Sequence, residues 1–219
     1  MTRLRQIPNP YGSVQVRAST NNLRYCMLSR RALSTVTDVP PAPEQLAGSA
    51  PAHRCYAFLH TAQPPSAYPA RYSTSVQRKL LLTTAPWGGA VNFAWSPSQP
   101  VHPLPPTGEE PETYHLTAFS NARGKLEIEA VSLANVDDVA RALRAHVEPR
   151  MSDVPSGSPE EDIHLYVCTH GAQDCRCGDT GGAVARSIRA ELDRRQRRHA
   201  FDPSTRIKLA EVAHVGGHK

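Results

Sequence analysis

Three thiols crowd into ten residues of the run Val167-Cys168-Thr169-His170-Gly171-Ala172-Gln173-Asp174-Cys175-Arg176-Cys177-Gly178, and His214-Val215-Gly216-Gly217-His218 follows near the C-terminus. Cys168 and Cys177 are nine positions apart, and the two imidazoles four. Thiolate and imidazole are the soft and borderline donors that bind iron–sulfur clusters, zinc or copper. Ordinary core packing does not account for three thiols this close, and the spacing is not that of a zinc finger. A second chemistry is open: Cys175-Arg176-Cys177 is a dithiol, although disulfide exchange normally uses two intervening residues. Without a secretory signal, five cysteines argue against a disulfide scaffold. Cys26 lies in a basic leader, and Cys55 opens the apolar run Cys55-Tyr56-Ala57-Phe58-Leu59 as a buried thiol.

The elements that must position these donors follow from periodicity. Ile163–Val167 reads as an apolar strand of the buried kind. Residues 181–198 read as a helix with Val184, Ile188, Ala190 and Leu192 inward, and Ile207–Val212 as a strand. Strand, cysteine loop, helix, strand is a β-α-β unit, which implies a parallel pair. Cys168 then ends one strand and His214 follows the end of its neighbour, at the edge where open α/β sheets hold ligands. The 37 positions between Cys177 and His214 are what the helix and strand require. Gly216 and Gly217 disfavour a helical placement of the imidazoles and suit a loop folded around a ligand. His170 competes as a ligand, with capping of the loop the preferred reading. Arg194 to Arg198 read as a solvated helix end; a docking patch for an acidic partner is the lesser reading. The other histidines, His53, His60, His102, His115, His146, His164 and His199, have no partner spacing.

Upstream, strands are expected at 54–61, 90–95, 113–119 and 126–131, the last two joined by a turn at Asn121–Gly124. A short helix is expected over 73–83, with Val76, Leu80 and Thr83 on one face. Asn135 should cap a helix through Val147 whose apolar stripe is Val136, Val139, Ala140 and Leu143. Residues 96–112 carry six prolines and form an extended insertion.

At 219 residues and 39 % apolar, the chain can bury a core. No apolar run reaches the eighteen or so residues of a membrane helix, so no membrane span is expected. The net charge of +5 is unevenly placed. The first 37 residues hold Arg3, Arg5, Arg17, Arg24, Arg30 and Arg31 and no acid, leaving 19 of the 25 basic groups against all 20 acidic ones. With its serines, threonines and asparagines, this leader matches a mitochondrial presequence cut near Leu33. A basic segment that is removed offers nothing to a nucleic-acid role.

Cys168-Thr169-His170-Gly171, Asp174-Cys175-Arg176-Cys177-Gly178 and His214-Val215-Gly216-Gly217-His218-Lys219 together resemble the sucrase/ferredoxin-like family. This is a set of thioredoxin-fold ferredoxins that includes altered-inheritance-of-mitochondria type proteins. The resemblance is strong from about residue 163 and covers 54–150 in outline. It implies a [2Fe–2S] cluster with Cys168 and Cys177 as thiolate ligands and His214 and His218 as imidazole ligands, Cys175 being a spare thiol. Gln173 departs from the basic residue expected before the aspartate. The family continues past the histidine loop with more sheet and helix, so the chain is expected to be C-terminally incomplete.

The expected fold class is α/β: a C-terminal, truncated thioredoxin-like ferredoxin unit preceded by a smaller α+β domain. The expected organisation is a presequence at 1–37, a linker at 38–53, the α+β domain at 54–150, a linker at 151–162 and the cluster domain at 163–219. The function this implies is a mitochondrial electron carrier or redox sensor, more a carrier than an enzyme with its own substrate, working with an unidentified redox partner. Two alternatives stand beside it: a zinc-stabilised binding module, and a thiol-disulfide oxidoreductase acting through Cys175. The "sucrase" in the family name finds no catalytic carboxylate pair in the sequence.

Overall fold

The computed structural model describes residues 52–98, 112–148 and 162–215. The presequence, most of both linkers, most of the proline-rich insertion, and His218 lie outside the described residues. Six strands form one mixed sheet: β1 (Cys55–His60), β2 (Gly89–Trp95), β3 (Tyr114–Ser120), β4 (Gly124–Val131), β5 (Ile163–Cys168) and β6 (Ile207–Val212), in the order β4-β3-β1-β2-β6-β5. Among the described residues three α-helices complete it: α1 (Ser75–Thr84), α2 (Val136–Val147) and α3 (Gly182–Arg198). The strands and helices expected from periodicity are present, within a few residues at their ends.

In the first region α1 joins the parallel pair β1 and β2, and β3 and β4 form an antiparallel hairpin beside β1. Alternation on β1 places Cys55, Ala57 and Leu59 on the face that α1 and α2 cover. Val76 and Leu80 from α1 and Val136, Val139, Ala140 and Leu143 from α2 close this core around Phe93 and Leu116. Thr74 caps α1 by accepting from Gln77 N–H. Asn135 does not cap α2 with its side chain, which instead accepts from Ser132 N–H and donates to Ala130 O at 2.8 Å each.

In the second region β5 and β6 are parallel, as the β-α-β reading requires, with α3 between them in sequence. Two expectations are corrected. β5 is not a buried strand: it lies at the sheet edge, and Ile163 is 51 % exposed. On α3, Val184 and Ala190 face outward, and the inward stripe is Ala185, Ile188 and Leu192 with Arg189.

The regions meet where β2 pairs antiparallel with β6, Ala94 opposite Val212 and Trp95 opposite Glu211. The sheet is therefore continuous across the boundary expected at 151–162, and a division into two domains is not established. The sheet also folds over at this seam. Phe58 of β1 stacks on Tyr166 of β5 with centroids 4.1 Å apart, whereas three strand spacings in a flat sheet span roughly 14 Å. Phe119 of β3 meets the same tyrosine edge-on at 5.9 Å. A second, aromatic core of Phe58, Phe119 and Tyr166 thus fills the fold, with Ala94, Val212 and Cys168 beside it.

Candidate metal centre

Cys168 sits at the C-terminal end of β5, and a loop carries the chain from it to a π-helical turn, Cys177–Gly181, that enters α3. Such turns disturb the regular helix ladder and recur at functional sites. Asp174 shapes the loop. Its backbone carbonyl accepts from Cys177 N–H at 3.0 Å and its carboxylate accepts from Arg176 N–H at 2.9 Å and from the guanidinium at 2.8 Å.

Glycine is required at two close approaches. A Cβ on Gly171 would lie 2.9 Å from the Cα of Gly178, and one on Gly178 2.7 Å from the Cα of Gly171. A Cβ on Gly181 would lie 2.0 Å from the carbonyl oxygen of Cys168. Only a chain without side chains at these points brings Cys177 back over Cys168.

His214 arrives from the far side. Ala213 is tied to β2 by its N–H to Phe93 O at 3.0 Å and by Asn92 Nδ2 donating to its carbonyl at 3.1 Å. His214 N–H donates to Nδ1 of buried His170 at 3.4 Å, while His170 Nε2–H donates to Pro69 O at 2.9 Å. These bonds occupy both ring nitrogens of His170, which is thereby a positioning residue for the His214 segment.

The outcome is convergence. One donor atom each from Cys168, Cys177 and His214 lies within 4.8 Å of the other two, and Cys177 Sγ is 3.5 Å from His214 Nδ1. Cys175 is outside this group, and His218 is outside the described residues. Burial, then the hydrogen bond and charge of Cys168, push the Cys177 thiol up to about 12. A thiolate here is unfavourable unless a cation compensates it, the reverse of an attacking thiol with a depressed value.

The donor set fits a metal. Tetrahedral ligands at about 2.0–2.3 Å from an ion stand roughly 3.3–3.8 Å from one another, and the Cys177–His214 separation falls in that range.

One supporting network was not read from the sequence. Buried Glu211 on β6 accepts from Thr169 Oγ1 at 2.9 Å and from Arg189 on α3 at 3.0 Å, and the Arg189 guanidinium lies 5.8 Å from the centroid of the Trp95 ring. It locks the residue after Cys168 to β6 and α3 together. The available signal was a lone carboxylate in the apolar run Leu209-Ala210-Glu211-Val212-Ala213. Asp174 within the cysteine loop and Glu211 on β6 are each paired with an arginine.

Fold and site define a mixed α/β protein with a thiol–imidazole group at the end of a parallel strand pair. The model of the sucrase/ferredoxin-like family matches residues 46–219, and the chain belongs to that family. No curated protein and no solved structure matches it.

Proposed function

We propose that the protein holds a [2Fe–2S] cluster through Cys168, Cys177, His214 and His218 and serves in electron transfer or redox sensing. The observation that carries this reading is the convergence of two thiols and an imidazole from segments 37 positions apart. The ferredoxin character in the family's name supports it. When bound, such a cluster with mixed thiolate and imidazole ligation supplies one-electron chemistry at a potential above that of all-thiolate centres. The residues around it do the rest. His170 and Ala213 hold the imidazole segment, Gly171, Gly178 and Gly181 admit the thiols, and the Phe58–Tyr166 stack shields the Cys168 side. The β5-α3-β6 unit supports the thioredoxin-like reading of residues 163–219.

A single zinc ion is the second reading, and one observation favours it. Ligands shared between two irons stand farther apart than ligands on one ion, and the three donors here are compact. Metal, iron and sulfide analysis with a visible spectrum of anaerobically purified protein separates the two. A brown protein containing iron and sulfide is expected. A colourless protein with one zinc per chain would overturn the cluster, and one that binds neither would overturn both readings. We also propose mitochondrial import directed by residues 1–37; an epitope-tagged reporter carrying residues 1–40 that stays in the cytosol rules it out.

A further inference from the structure

A cleft of about 800 Å³ opens beside His214, walled by the loop before α1, by α1, by β2 and by the His214 segment. Its volume lies within the range of small-molecule sites, about 300–1,000 Å³. The described lining contains Arg71 and Arg78 and no aspartate or glutamate. Both arginines are exposed, and among the described residues no carboxylate pairs with either. Arg141, Arg144, Arg176, Arg189, Arg194 and Arg195 face carboxylates, whereas Arg186, Arg197 and Arg198 on α3 share with this pair the lack of such a partner among the described residues. Glu112, whose charge acts on Tyr72, accepts from Val76 N–H at 3.4 Å and is not part of the lining.

One part of the wall is apolar and set in place, and Gln77, Asn92 and His170 are among the polar groups beside it. Tyr72 is held by stacking on Tyr68 at 4.1 Å and by a tilted contact with Phe93 at 4.9 Å, and Leu81 and Val91 continue the surface. A guanidinium matches the oxygens of phosphate and carboxylate in a planar fork. A bare inorganic anion is too small to fill the cleft.

We propose that this cleft binds an organic anion. Its phosphate or carboxylate is held by Arg71 and Arg78, its apolar or aromatic body lies along Tyr72, Leu81 and Val91, and it reaches the imidazole side of the thiol–imidazole group. The groups assigned to the anion and to its body, Arg71, Arg78, Tyr72, Leu81 and Val91, all lie outside the candidate metal ligands, and His214 lines only the far wall.

Calorimetric titration of the full chain with four probes tests this: 1-naphthyl phosphate, 1-naphthoate, neutral 1-naphthol and inorganic phosphate. At least one aryl anion should bind tenfold or more tightly than both 1-naphthol and inorganic phosphate. Arg71→Ala with Arg78→Ala should weaken it at least tenfold, and Arg71→Lys with Arg78→Lys should restore part of the loss. Should metal analysis of the same full-length preparation find neither iron nor zinc, the tenfold preference for an aryl anion still supports this inference, so failure of the metal reading leaves it standing. Binding of 1-naphthol equal to that of both acids, an unchanged affinity in the double alanine variant, or no binding of either aryl anion would overturn it.

Discussion

The two regions of this protein are held together by different means. Residues 55–147 build a dense core in which Leu59, Val76, Leu80, Leu116, Val131, Val136 and Leu143 are each at most 1 % exposed. Residues 163–215 bury little: Ala185 is the one fully buried side chain of α3, and Cys177, Ala210, Val212 and Ala213 are small. Beside the packing of Tyr166 on Phe58 and Phe119, what supplements this small apolar mass is polar and directional. The Thr169–Glu211–Arg189 network, the His170 bridge and the three-donor group do the joining. A region built this way gains order from whatever occupies its donors, because ligand binding that requires the folded geometry is folding free energy. If the donors hold a metal as proposed, the region that carries them is also the one whose stability their occupancy sets.

Four perturbations break or sharpen this contrast. Phe93→Ala strikes the dense core and should cost about 3–5 kcal/mol. Urea unfolding should show the whole chain affected; a loss under 1 kcal/mol would deny that this core dominates. Gly181→Ala forces a Cβ against the Cys168 carbonyl oxygen, a backbone clash that no rotamer relieves. We expect a loss of roughly 2–4 kcal/mol. By hydrogen exchange it should be confined to 163–215 and accompanied by lost metal uptake. Equal loss of protection in α1 and α2 would show that the regions are not separable.

Glu211→Gln removes the charge that Arg189 and Thr169 share, at a site where Arg189 is a third exposed. It should cost about 1–2 kcal/mol and loosen the cysteine loop while β1 to β4 keep their protection. Unchanged exchange at Thr169 would remove the network from the account. The smallest effect concerns pH. Burial lowers the pKa of His164 on β5, Lys125 and Lys208 push the same way, and Asp162 and Glu127 oppose. A depressed value means that the folded state binds fewer protons, so stability is full above the unfolded value near 6.5 and falls as pH drops through the folded one. His164→Gln should flatten that slope in thermal melts between pH 7 and 5, and an unaltered slope would assign it to another group.

The sequence made the first region largely legible because its periodicities are strong. The α2 stripe of Val136, Val139, Ala140 and Leu143 is buried as read, since four apolar residues at 3.6 spacing leave one phase. On α3 the phase was misread. An arginine-rich helix offers few apolar residues to fix it, and Arg189 on the inward side looks like a surface residue until Glu211 is found opposite. The edge position of β5 and the β2–β6 seam depend on pairing between distant segments, which local patterns do not encode. The convergence of Cys168, Cys177 and His214 was legible because three thiols in ten residues stand out, and because His214 differs from most of the ten histidines in having a second imidazole four positions on across two glycines. The positioning role of His170 needed the geometry of Pro69 and His214, and the lack of a carboxylate partner for Arg71 and Arg78 among the described residues needed the cleft.

The chain's two tryptophans divide between these territories. Trp87 packs against the dense core, whereas Trp95 sits at the seam with the Arg189 guanidinium over its ring. Indole emission is sensitive to a nearby cation and to water. Undocking of the β5-α3-β6 region would take the cation from one indole and wet it while the other kept its surroundings. The molecule therefore contains an intrinsic optical gauge of its own closure, readable without a label from the part of the emission that belongs to Trp95.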